Sequence, residues 1–452
     1  MVDRQLHINV NLLGSGSHQA AWRTAEKARF SSLDIEHYRR VAQIAERGRL
    51  DAVFFADQVS ISPDPSSGPG WGVLDPVVLA SALAAVTTHI GFVATVTSTF
   101  SHPYNVARTF SSLDHVTRGR AGLNVVTTMA PNAASNFGSS ELPNHDIRYA
   151  RAAEFIDVLI ALWDSWEDSA LIGDITTGTF ADRGRIHAIN HDGPYFSVEG
   201  PLQLPRSPQG RPVLFQAGGS AQGRDLAARY ADAVFSVSQT LEDARAYYAD
   251  LKGRVRDAGR NPDSIAILPG LTTIIGSTEE EAFARKKELD AISGASSEVR
   301  ALDFLARRLG VEPETLDLDS PVPPELLEKA KTTNGSIGFA EAALAVLRDR
   351  SLTVREVLQK GGAGHRRVVG TPEQIADTIE AWFKGGAADG FNLMADVYPS
   401  GLETFVDEVV PILQKRDLFR RDYEEPILRS HYGLPRPTAR RSEYRPEADK
   451  VV

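Results

Sequence analysis

The chain has 452 residues, of which 42% are hydrophobic, and a formal net charge of −10, so it supports either one large α/β barrel with insertions or a few ordinary domains. The acidic balance lacks any basic block, which excludes nucleic acid and anionic membrane as favoured partners, and no apolar run is long enough to span a bilayer. There is no cysteine, which excludes disulfides, thiolate nucleophiles and thiolate metal sites, and the amino terminus carries no export signal, so the expected compartment is cytoplasmic.

In chain order, the first predicted strand lies near Ile8–Leu12. Helix Leu33–Arg49 then precedes strand Asp51–Asp57, helix Pro76–Thr88 precedes strand Ile90–Val96, and helix Tyr104–Thr117 precedes strand Ala121–Thr127. Helix Arg148–Trp166 follows, then strand Val213–Ala217, helix Ala221–Ala231, strand Ala233–Val237, helix Leu241–Ala258 and strand Ile265–Ile275. Helix Pro372–Gly385, strand Gly390–Ala395 and helix Leu402–Lys415 close the series. Near-continuous apolar strands alternating with helices imply a parallel sheet covered on both faces, and eight of them suit a (β/α)8 TIM barrel, here a single domain over residues 1–452. A doubly wound dinucleotide fold fits less well, because Gly14-Ser-Gly-Ser-His18 after the first strand lacks a third glycine in register. Three stretches exceed the repeat: residues 60–71, 168–209 and 277–367. They are expected as insertions at the C-terminal face of the strands, the last as a helical lid with helices Glu279–Asp290, Ser297–Leu309, Pro324–Lys331 and Gly338–Asp349. The polar, proline-punctuated tail, residues 423–452, is expected to wrap a subunit surface.

The strand Val213–Ala217 breaks at Gly218 and Gly219 and restarts as a helix capped by Ser220. Free N–H groups, a cap hydroxyl and the positive end of a helix dipole around one point suit a phosphate, although an ordinary strand-to-helix turn has the same residues. The helix opening at Asn144 places His145, Arg148 and Tyr149 opposite. Arg148 and Arg224 read equally as phosphate ligands or as partners of nearby carboxylates, and Tyr149 as a ligand or a packing ring. The other strand ends carry Asn9, Asn11, Asp57, Thr95, Thr97, Asn124, Thr127, Thr128, Gln216, Ser236, Ser238 and Asn392. These neutral hydrogen-bonding groups suit a planar heterocycle better than hydrolysis. Asp57 alone is charged, and it reads equally as a cap. His187 and His191 lie in a loop without a zincin glutamate, so no metal site is expected.

Taken together, Phe54-Phe-Ala-Asp57, His102-Pro-Tyr-Asn-Val-Ala-Arg108, Ser112-Leu-Asp-His-Val-Thr-Arg-Gly-Arg120 with Asn124-Val-Val-Thr127, Phe215-Gln-Ala-Gly-Gly-Ser220 and Asp389-Gly-Phe-Asn-Leu393 carry a family likeness. The sequence resembles the bacterial luciferase-like flavin-dependent monooxygenases, in the branch with nitrilotriacetate monooxygenase, dibenzothiophene sulfone monooxygenase and pristinamycin IIA synthase. The resemblance implies reduced FMN (FMNH2) as a cosubstrate supplied by a separate NAD(P)H:flavin reductase. It also implies O2 activated as a flavin (hydro)peroxide, a small-molecule substrate and a homodimer or homotetramer. It places Asp57, Thr95, Asn124, Thr128 and Met129 around the isoalloxazine and ribityl chain, and Tyr149, Gly219 and Ser220 at the phosphate, with His145 and Arg224 as weaker additions and Ala217 and Gly218 also in the cofactor-binding set. Met129 stands where the alkane-oxidising relatives have a histidine, and their cysteine near the first strand is absent. His18 corresponds to a Ser-His-Gln stretch facing the oxygen site in some relatives, and otherwise reads as a backbone-bonded loop histidine. The competing readings are a deazaflavin-dependent oxidoreductase on the same barrel and a non-catalytic flavin-binding protein; the substrate is not legible.

Overall fold

The computed structural model describes residues 4–24, 30–61, 74–330, 337–347, 349, 351–361 and 364–439. Its barrel strands are β1 (His7–Asn11), β2 (Ala52–Phe55), β3 (Gly91–Thr97), β4 (Ala121–Val126), β5 (Val213–Gln216), β6 (Ala233–Ser236), β7 (Ala266–Ile275) and β8 (Gly390–Ala395). Each pairs in parallel with the next, and β8 pairs with β1, so the sheet closes without an edge.

Alternation along the strands decides what faces each way. Ile8, Val10, Val53, Phe55, Phe92, Leu123, Leu271 and Leu393 point outward into the helix-covered core, while Ala52, Phe54, Val93, Phe215, Ala233 and Leu268 fill the interior. The covering helices are α1 (Ile35–Arg47), α2 (Pro76–Ala84), α3 (Pro103–Val116), α4 (His145–Trp163), α5 (Ala221–Tyr230) and α6 (Leu241–Asp257). Side chains cap them all: Asp34, Asp75, His102, Asn144, Ser220 and Thr240 accept from first-turn N–H groups, which sets each entry point.

The insertion after β7 holds α7 (Glu279–Ser293), α8 (Ala295–Leu309), α9 (Pro324–Ala330), α10 (Ile337–Leu347) and α11 (Val354–Gln359). Leu305, Leu309, Leu316, Ala343, Leu347, Val354 and Val357 give it an apolar cluster separate from the barrel core. It returns through a strand that the periodicity did not announce, Arg366–Gly370, which pairs in parallel with the upper half of β7, Leu271–Ile275. Helix α12 (Pro372–Lys384) then leads into β8.

Three expectations change. The insertion 168–209 joins α4 to β5, so by connectivity it leaves from the N-terminal end of the barrel instead of the catalytic face. It runs along the outside, where Glu154 of α4 accepts from the Tyr195 and Phe196 backbone and Phe196 packs on Phe155. Helix Leu402–Lys415 is divided into Ser400–Thr404, a π turn Phe405–Val409 and Val410–Lys415. Pro411 has no N–H to continue the ladder, and the helix widens just before it. The described part of the tail, up to residue 439, plugs the barrel floor: Leu428, Tyr432 and Leu434 pack among Ala52, Phe54 and Phe215. A Cβ on Gly91 would lie 2.4 Å from Leu428 Cδ1, so glycine there makes the room. Most of the predicted insertion 60–71 and the segment 440–452 lie outside the described residues.

Candidate active site

The N-termini of α4 and α5 meet above the ends of β4 and β5. Ser220 accepts from Gly223 N at 3.1 Å, and Gln222 Nε2 donates to Asp146 Oδ1 at 3.1 Å, tying the first turns of the two helices together. Tyr149 packs on His145 with ring centroids 4.6 Å apart, and its hydroxyl lies 2.9 Å from where a Cβ on Gly218 would sit. No described residue bonds that hydroxyl. Gly218 N donates to Gln216 Oε1 at 2.7 Å, which fixes the turn. Ser220 is buried, Gly218 and Gly219 half-buried, and Ala217 exposed. Two helix N-termini, half-buried glycine backbone and a phenol without a partner among the described residues therefore lie close together, a donor set that suits a phosphate.

One strand further, Thr95 donates to Phe55 O at 2.7 Å and accepts from Asn124 Nδ2 at 3.0 Å. That turns the Asn124 amide so that Oδ1 is buried without a donor among the described residues. Thr128 is locked: its hydroxyl shares a 2.7 Å bond with Thr97, its N–H donates to Thr99 Oγ1 at 3.1 Å, and Arg148 Nη1 donates to its carbonyl. Met129 beside it is 58% exposed, offering an apolar surface to the mouth. Asp57, half-buried at the end of β2, has its carboxyl pushed up to about 6 by burial, with Asp75 adding to the shift and the Gln58 N–H opposing it. An orphaned acceptor, hydroxyls and an apolar thioether beside a phosphate cradle fit the ring and chain of a flavin.

Of the two arginines weighed as phosphate ligands, Arg224 is employed elsewhere, while Arg148 keeps a buried Nε without a partner among the described residues. Arg224 donates from Nε to Gly219 O at 2.9 Å, from Nη1 to Asp250 at 3.1 Å and from Nη2 to Glu341 at 2.7 Å, which is the carboxylate-pairing reading. Arg148 faces the Thr128 carbonyl.

His18 lies on the loop after β1. Its Nδ1 accepts from Ala20 N at 3.1 Å, so the proton sits on Nε2, which is 3.2 Å from Asp290 Oδ1 on α7. Burial raises the Asp290 carboxyl, but the bonds from His18 and Lys286 outweigh it and leave it at about 2. Sequence reading missed Asp290, which is 272 positions from His18. It also missed Arg308, His365 and Arg367, which stand above β6 and β7. A Gly364-His-Arg-Arg367 run was a signal for His365 and Arg367 only. Among the described residues no cluster of three or more His, Asp or Glu could hold a metal, and no helix is long and apolar enough to cross a membrane.

Residues 15–389 match the family model of luciferase-like monooxygenases. The chain is 42% identical to N-acetyl-S-(2-succino)cysteine monooxygenase of Bacillus subtilis (strain 168), over 97% of this chain and 98% of that one. It is 41% identical to nitrilotriacetate monooxygenase component A of Aminobacter aminovorans, over 96% and 98%. Among solved structures, a riboflavin lyase crystallised with modified FMN and its substrate riboflavin superposes with a TM-score of 0.81 at 32% identity, over 96% and 97%.

Proposed function

The chain belongs to the luciferase-like monooxygenase family, and from that premise we propose that it takes up reduced FMN from a separate NAD(P)H:flavin reductase and uses it with O2 to oxygenate a small organic substrate. The observation that carries this reading is the meeting of the α4 and α5 N-termini at Gly218–Ser220, with the donorless Asn124 Oδ1 one strand away. The similarity to component A of nitrilotriacetate monooxygenase and to a riboflavin lyase crystallised with modified FMN supports it.

In this reading Tyr149, Ser220 and the backbone of Gly218 and Gly219 hold the phosphate, with His145 supporting Tyr149. Thr95 aims Asn124 at a flavin N–H, and Thr128 and Met129 line the flavin wall with Asp57 at its rim. Reduced FMN, when bound, supplies the electrons that activate oxygen. The protein's part is to place the substrate and exclude water, and the helices over the mouth serve as a lid. His18 donates its Nε2 proton to Asp290 and accepts from Ala20 N at Nδ1, so presenting that proton to the reacting oxygen requires the Asp290 bond to break. The protein works in the cytoplasm as a homodimer or homotetramer, which light scattering reads directly.

The deciding experiment is anaerobic titration with reduced and oxidised FMN, followed by oxygen uptake with a reductase and NADH. Tighter binding of the reduced form is expected, because the oxidised flavin must return to the reductase. A stoichiometric yellow flavin that survives dialysis would overturn the two-component reading.

A further inference from the structure

The sulfur in this chain is confined to three methionines, Met1, Met129 and Met394. Met1 lies outside the described residues. Met394, on β8 in register with Thr272, is 2% exposed, whereas Met129 after β4 is 58% exposed. Methionine is ordinarily a core residue, so one thioether here is closed to a dissolved oxidant and the other is open to it. The backbone keeps Met129 in that position. Thr128 N donates to Thr99 Oγ1 at 3.1 Å and the Thr128 hydroxyl shares a 2.7 Å bond with Thr97, which ties the preceding residue to the end of β3. The Thr128 carbonyl accepts from Arg148 Nη1, which ties it to the first turn of α4, one position before Tyr149. On the other side, the 3-10 turn Pro131–Phe137 sends Asn132 Nδ2 to Ile61 O at 3.2 Å and Asn136 Nδ2 to Val59 O at 3.0 Å, both on the loop after β2. Chain pinned on both sides leaves the thioether no retreat into the core, over the carboxyl ends of β2 to β4 where the proposed chemistry takes place.

A thioether is oxidised by a hydroperoxide through direct transfer of oxygen. The sulfur lone pair attacks the terminal oxygen, the O–O bond breaks and an S–O bond forms. The other oxygen keeps a proton and leaves, as water when the oxidant is hydrogen peroxide. Sulfur loses two electrons and the peroxide gains them. With no cysteine in the chain, no thiolate competes for the oxidant.

We propose that Met129 is a modification site: peroxide formed when oxygen activation is not followed by transfer to substrate converts it to methionine sulfoxide, and the sulfoxide weakens flavin binding. The inference rests on the flavin monooxygenase reading and adds a regulation to that same site. Oxidation turns an apolar, polarisable edge into a dipole with a strong acceptor oxygen, which no longer suits the wall of an aromatic ring. An enzyme consuming reduced flavin without product is thereby slowed. Burial spares Met394, and enzymatic reduction of the sulfoxide reverses the change.

The test has two arms, both read by peptide mass mapping and by anaerobic titration with reduced FMN. In the first, the protein alone is treated with hydrogen peroxide. One added oxygen is expected on the peptide containing Met129 and none on that containing Met394, with reduced FMN then bound several-fold more weakly. Methionine sulfoxide reductases with dithiothreitol should restore the affinity, and in a chain without cysteine that reductant has no thiol or disulfide to act on. Met129→Leu, at an exposed position, should keep its own starting affinity through the same treatment. In the second arm a flavin reductase, NADH and FMN turn the protein over in air, without substrate and with catalase present. Oxidation of Met129 despite catalase is expected, because peroxide formed in the mouth meets the thioether before it reaches solution. Oxidation only when catalase is left out would assign the oxidant to free peroxide and overturn its origin in the site. Met129 left unmodified, Met394 oxidised as fast as Met129, or an oxidised protein with unchanged FMN affinity would each overturn the modification site. Wild type that neither binds reduced FMN nor raises oxygen uptake above that of the reductase would instead sink the flavin reading, while the peptide map of the first arm still decides which sulfur is reactive.

Discussion

Arg224 Nη2 lies 2.7 Å from Glu341 Oε2 while Arg224 Nε holds the Gly219 carbonyl at 2.9 Å, so one side chain joins the glycine loop to α10 of the insertion. The two backbones also touch: a Cβ on Gly219 would lie 2.5 Å from Gly338 Cα, and one on Gly338 would lie 2.9 Å from Gly219 Cα. Any larger residue at either position would part the insertion from the loop. The proposed phosphate site and the proposed lid therefore share a wall, and filling one should steady the other.

Glu341→Gln should accordingly speed dissociation of reduced FMN by a few-fold, since a half-exposed ion pair contributes up to about 1 kcal/mol. Stopped-flow displacement measures it, with hydrogen exchange in α10 rising in parallel. Asp250→Asn, which removes the partner on the barrel side only, should leave α10 exchange alone; equal behaviour of the two variants would show that the bridge does not couple loop and lid.

Ser220→Ala and Tyr149→Phe should each weaken FMN by about 1–3 kcal/mol, the usual loss for a hydrogen bond to a charged group. Ser220 also caps α5, so that variant should lose about 1 kcal/mol of stability as well. Riboflavin separates the two effects: lacking the phosphate, it should bind both variants as it binds wild type. Unchanged FMN binding in both would mean that the phosphate lies elsewhere.

The strands were legible because parallel, doubly covered strands are written as apolar runs, and Gly218-Gly-Ser220 because turn and cap chemistry are local. What escaped has a physical reason in each case. Arg366-Arg-Val-Val-Gly370 reads as polar because it pairs only on the upper part of β7, beyond the packed interior. Leu428, Tyr432 and Leu434 are isolated apolar residues in a polar tail, and the room left by Gly91 and Gly122 shows where Leu428 goes. The His18–Asp290 and Arg224–Glu341 pairs join a barrel loop or helix to an insertion whose docking no periodicity encodes. Arg308, His365 and Arg367 escaped for the same reason.

His365 makes acid sensitivity measurable. Its folded pKa, about 3, lies below the unfolded value of about 6.5, so the unfolded chain binds more protons between those limits and stability falls as pH drops through that window. One such group contributes a slope of at most about 1.4 kcal/mol per pH unit, reduced where solvent reaches the ring. His365→Phe, packed between Phe235 and Phe339, should flatten the fall in urea midpoint from pH 6.5 to 4 relative to wild type. Parallel curves would mean that the ring is protonated at little cost in the folded protein.

The last prediction concerns α8 to α11. Their own apolar cluster, apart from the barrel core, lets them open as a unit at less cost than unpairing a barrel strand. Their links to the barrel include the Gly219–Gly338 contact, the Arg224–Glu341 bridge and the Phe339–His365 stack, which break together when the unit lifts. Amides in these helices should exchange earlier than those of β1 to β8 and become protected when reduced FMN binds. Replacing residues 295–361 by a short glycine–serine linker should leave a folded barrel that binds reduced FMN more weakly. It should consume oxygen with release of hydrogen peroxide in place of oxygenated product, because water then enters the mouth. Protection equal to that of the barrel strands in the ligand-free protein, or undiminished product per O2 after the deletion, would show that these helices are scaffold and not a lid.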